Sequence, residues 1–160
     1  MRSFLLLTAL LAPLALAACG GADASPAPRT SATPAASAPA DPALLAQCEA
    51  FFARARTCTE QYIPTLVDLR ISLDKPAGIT AWAQRPGGRD EIVQQALAEW
   101  ADDSQPAAVA ALCTKITAEI PADQLAPMRA AGERCMAMTD CGAFSTCAVE
   151  LNRPRIAAQP

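Results

Sequence analysis

From residue 44 onward, apolar positions recur at helical intervals. Leu44, Cys48, Phe51, Ala55, Cys58 and Tyr62 follow at steps of four, three, four, three and four, which lines one face of an α-helix. Asp41-Pro42 precedes them, an N-cap residue followed by a proline suited to a first helical turn. Pro64 is expected to kink or restart the helix. Leu66, Leu69, Ile71 and Leu73 then continue it to the turn Lys75-Pro76-Ala77-Gly78. A connector with Trp82 and the turn Arg85-Pro86-Gly87-Gly88 leads to a second face of Ile92, Val93, Ala96, Leu97 and Trp100. Ser104-Gln105-Pro106 opens a stripe of Val109, Leu112, Cys113, Ile116 and Ile120, which Pro121 stops. The last stretch carries Leu125, Met128, Cys135 and Met138, then Cys141, Phe144, Cys147, Ala148 and Leu151, with Thr139-Asp140 placed to cap a new helix. No run alternates with period two and no segment repeats. The pattern predicts an all-α bundle of four or five helices over residues 42–152, with 153–160 as a flexible tail.

The first 41 residues are patterned differently. Arg2 precedes an apolar run from Phe4 to Leu16, and small residues follow, the layout of a secretory signal and too short for a spanning helix. Its last four residues, Leu16-Ala17-Ala18-Cys19, resemble the lipobox of bacterial lipoproteins. The resemblance implies removal of the signal peptide 1–18 and lipidation of Cys19, palmitate included, so that lipid chains hold the protein on a membrane. In that family an aspartate after the cysteine favours the inner membrane. Gly20 stands there, which implies the outer membrane, with the periplasmic side as the expected orientation. Residues 19–41 follow as an Ala/Pro/Ser-rich linker without a large apolar side chain. Such a segment cannot bury enough surface to offset its ordering entropy. It reads as a disordered tether.

Residues 42–152 are the size of one small domain. The whole chain has four Phe, two Trp and one Tyr, and a domain this small with so thin a core usually needs covalent staples. Net charge is −3 and the 13 Lys and Arg are scattered. Without a basic run, nucleic acid is not an expected partner.

Composition then turns on cysteine. With Cys19 lipidated, six remain: Cys48, Cys58, Cys113, Cys135, Cys141 and Cys147. An even number in an exported domain reads as three disulfides. Cys48 and Cys58 stand about 15 Å apart on one helix, whereas a disulfide needs alpha carbons within about 7 Å. Each must therefore reach another helix. Zinc sites favour cysteine pairs two to four residues apart, often with histidine. Neither occurs in this chain, so no metal and no other cofactor is expected. The C-x9-C spacing of Cys48 and Cys58 is similar to one half of the twin C-x9-C helical hairpins, although C-x5-C-x5-C stands where the second half belongs. That resemblance implies two antiparallel helices stapled across a shared face. It favours the nested pairs Cys48–Cys147 and Cys58–Cys135, leaving Cys113–Cys141, among fifteen possible connectivities.

Catalytic constellations are hard to assemble from these residues. The chain has no histidine, which excludes Ser-His-Asp and Cys-His arrangements. Ser72-Leu73-Asp74-Lys75 matches S-x-x-K, but the companion motifs of the penicillin-binding enzymes are missing. Glu99, Asp102 and Asp103, like Glu133 and Asp140, read as solvated charges or caps; a bundle cleft lined by Glu99, Asp102 and Asp103 with raised carboxyl pKa values would instead point to an enzyme. Trp82 and Trp100 are expected core anchors, with a place at a binding surface as the alternative for one of them, and Met128, Met136 and Met138 read as core fillers ahead of an adaptable contact surface. The expected function is non-enzymatic: an envelope lipoprotein presenting the bundle to a protein partner. The alternative is an inhibitor or immunity lipoprotein that blocks a periplasm-acting toxin or hydrolase.

Overall fold

The computed structural model describes residues 41–159. The expected signal peptide and lipobox, Cys19 and most of the expected tether lie outside the described residues, as does residue 160. Among the described residues the chain forms seven helices: α1 Pro42–Thr57, α2 Thr59–Ser72, α3 Ile79–Ala83, α4 Gly88–Asp103, α5 Pro106–Glu119, α6 Ala122–Met136 and α7 Cys141–Ala157. The fold is all-α.

Helix boundaries follow local chemistry. Asp41 caps α1, its Oδ1 accepting from the Ala43 N–H at 2.9 Å, and Asp140 caps α7 through Ala143 N–H at 2.8 Å. These carboxylates satisfy N–H groups that a first turn leaves without partners. Ile120, forced toward extended backbone by Pro121, closes α5 at φ −78° and ψ 122°. Between α3 and α4, Gly87 takes φ 73°. A Cβ on Gly88 would collide with the Trp82 carbonyl oxygen, so only glycine fits that approach.

Three boundaries differ from the expected ones. The helix that begins at Pro42 breaks at Cys58, not at Pro64, which lies inside α2. Cys58 leaves helical geometry at φ −102° and ψ 20°, and its carbonyl restarts the ladder by accepting from Tyr62 N–H at 2.8 Å. The connector holding Trp82 forms the short helix α3. These two changes raise the helix count above four or five. Lastly, α7 runs past residue 152, because Ile156 is buried against the bundle at 5% exposure.

Two successive helices, α1 and α2, form the centre. α5 and α6 flank α1, whereas α4 and α7 flank α2, with α2 on α7 the most extensive contact. Phe144, Val67 and Val149 are fully buried, and so are Cys58, Cys113 and Cys135. The cystines are therefore part of the core as well as links across it.

Candidate functional site

All six domain cysteines are paired, and the pairing is not the nested one. Cys48 joins Cys113, Cys58 joins Cys141 and Cys135 joins Cys147, with alpha carbons 5.8, 5.3 and 5.5 Å apart. As the helical geometry requires, Cys48 and Cys58 reach different partners. The nested scheme fails because α7 packs on α6 as well as on α2, which sets Cys147 against Cys135 instead of Cys48. The two meet across the α6–α7 turn. Cys113 is taken by Cys48 because α5 lies along α1.

The break between α1 and α2 gathers the aromatic residues. Phe51 lies 5.4 Å from Phe144 between ring centroids, and Trp100 lies 5.4 Å from Tyr62 and 6.2 Å from Phe52. Trp100 donates from Nε1 to Thr59 Oγ1 at 3.0 Å, tying α4 to the start of α2. Burial pushes the Tyr62 phenol up to about 12, Arg70 lowering it slightly in return. Trp82 is only half-buried. Its Nε1 donates to Glu91 at 3.0 Å, and the Arg85 guanidinium stands 5.3 Å over its ring. It anchors α3 to α4. Met136 and Met138 are half-buried, whereas Met128 is 38% exposed.

The acidic trio does come together at the end of α4. Asp103 is half-buried, and its carboxyl is held above its ordinary range by desolvation first, then by Glu99 and Asp102. The C-terminal end of a helix also disfavours negative charge. A raised carboxyl pKa means that ionisation costs more in the folded than in the unfolded chain. The cost is absent at pH below the unfolded value and grows as pH rises through the folded one. Asp103→Asn should therefore raise the melting temperature at pH 7, and the gain should shrink toward zero as the pH falls below the carboxylate range. Thermal melts of parent and variant across pH 3–7 check this. Glu133 and Asp140, the other pair of acids, are exposed, and Asp140 serves as the α7 cap.

The least ordinary group is one that the apolar pattern hid. Arg70 on α2 is buried to 7% exposure. Its Nη1 donates to Gln159 Oε1 at 3.3 Å, while its Nε has no partner. Lys75 Nζ donates to the carbonyl of the same Gln159 at 2.5 Å. No carboxylate of the described residues pairs with either cation. A buried charge left without its counter-charge typically costs about 3–5 kcal/mol. Ile63, Val67 and Arg70 follow at steps of four and three, so the helical phase marks Arg70 as inward-facing.

Among the described residues, no group of three or more Asp, Glu, Cys or His side chains is placed to hold a metal ion. No described helix is long and apolar enough to cross a membrane. Comparison of the chain with family models, with curated proteins and with solved structures returns no match.

Proposed function

We propose that this chain is a non-enzymatic lipoprotein of the cell envelope, anchored through Cys19 in the outer membrane and facing the periplasm. In this reading, residues 19–41 are a tether and the bundle is the working part, a stapled scaffold presented to a protein partner. One observation carries the reading: an Ala/Pro/Ser-rich spacer joins the lipobox-like Leu16-Ala17-Ala18-Cys19 to an all-helical domain whose six cysteines are paired. Disulfides persist in oxidising compartments such as the periplasm, and a lipidated cysteine there keeps a soluble domain at a surface. At about 3.1 Å per residue the extended spacer reaches on the order of 60 Å, enough to lift the bundle clear of lipid headgroups. The first half of α6 suits a contact role. Residues 122–130 are exposed except for half-buried Leu125, and Met128 projects among them.

Cys19→Ala is the direct test of the anchor. The variant should lose labelling by a radioactive fatty acid and leave the membrane fraction or accumulate unprocessed. Equal labelling of variant and parent rules the anchor out. For the partner, capture from membranes with the tether intact should recover the same protein with the parent bundle but not with Leu125→Asp/Met128→Asp.

A further inference from the structure

We propose that Arg70 and Lys75 form a binding site for a carboxylate group, a place that Gln159 fills with a neutral amide. A guanidinium carries five N–H donors in a rigid fork, and a carboxylate engages two of them together. Among the described residues Arg70 makes one side-chain hydrogen bond, to the Gln159 amide oxygen, and its buried Nε makes none. Lys75 directs its ammonium to the Gln159 carbonyl, and its own N–H bonds the Arg70 carbonyl at 2.9 Å. Two cations thus converge on one residue that offers two neutral oxygens.

Glutamine has the outline of glutamate without its charge. A planar anion in its position would give the guanidinium fork two charged acceptors and put the Lys75 ammonium beside an opposite charge. The nearby acids are committed elsewhere: Asp68 pairs with Arg89 at 2.8 Å, and Asp74, beside Lys75, holds a turn. The Asp74 Oδ1 accepts from the N–H groups of Gly78 and Thr80, both at 3.0 Å, in an exposed turn. Burial holds the Arg70 guanidinium below the ordinary arginine range, with Tyr62 acting in the opposite sense, so the charged form has most to gain from a counter-ion. Entry requires Gln159 to give way. α7 ends at Ala157, and beyond it Gln159 is tied by its N–H to Ile156 and by these two cations.

The test uses the oxidised full chain in detergent, melted in sodium acetate and in sodium chloride at equal ionic strength. Acetate should raise the melting temperature saturably, as a ligand of the folded state does, and chloride should not. Arg70→Met, with helix content checked by circular dichroism, should weaken the apparent acetate affinity by about tenfold or more. Gln159→Glu supplies the carboxylate within the chain. It should melt above the parent in chloride and no longer respond to acetate. The assignment is overturned if acetate has no saturable effect on the parent, or if Arg70→Met responds equally. It also fails if Gln159→Glu melts at or below the parent. A response to inorganic phosphate without one to acetate rejects a carboxylate as the occupant.

Discussion

Reduction of the three disulfides should leave the bundle unfolded or molten at ordinary temperature. The bonds close sequence separations of 65, 83 and 12 residues. Each restricts the unfolded chain, by about 4–5 kcal/mol for the two long loops and about 3 kcal/mol for the short one on the chain-entropy scale. A domain of this size is stable by only about 5–15 kcal/mol in total. Losing all three bonds would remove most or all of that margin. Loss of Cys58–Cys141 should cost the most and loss of Cys135–Cys147 the least. The cystine sulfurs also fill core volume, since Cys58 and Cys113 are fully buried. Alkylation after unfolding should find no free thiol in the six positions before reduction and six after it. Added zinc should not restore the reduced fold, because the thiols stand on separate helices and no tetrahedral set forms. A reduced protein that keeps a sharp thermal transition near that of the oxidised form contradicts this.

Truncation of Phe144 should be the most damaging single change outside the cysteines. Its ring is fully buried, packs on Phe51, and lies 5.8 Å beneath the Arg54 guanidinium. Arg54 in turn donates to the Thr139 carbonyl at 2.6 Å, so one side chain braces α1, α7 and the turn before α7. Phe144→Ala should cost about 3–5 kcal/mol, which for a domain of this size lowers the melting temperature by roughly 10–20 °C. Phe144→Leu keeps most of the volume and should cost under about 2 kcal/mol. Thermal melts of the oxidised proteins read both. Equal losses in the two variants would mean that volume does not set the effect.

Much of this architecture was legible from residues 41–159 alone, and the exceptions have physical causes. Asp41 and Asp140 announced α1 and α7 because a capping carboxylate acts within three residues of itself. Pro121 ended α5 for an equally local reason. The break at Cys58 was hidden because the apolar stripe runs straight through it, and side-chain periodicity carries no record of where the backbone ladder restarts. Cysteine parity predicted that all six would pair, but pairing depends on which helices are neighbours. Only Cys135–Cys147 was written locally, since Thr139-Asp140 marks a turn midway between the two. Arg70 was missed because charge is ordinarily read as surface; its phase with Ile63 and Val67 said otherwise. The end of α7 was misjudged at residue 152, where Ile156 had the spacing to continue the buried face begun by Val149.

One measurement reads both the proposed anchor at Cys19 and the fully stapled bundle. Intact mass spectrometry of the protein isolated from membranes without reductant should give a chain that begins at Cys19. That chain should carry the added mass of lipid acyl groups and lack six hydrogens, two for each disulfide. A mass corresponding to the unprocessed, unacylated chain, or one with all six domain thiols free, contradicts it.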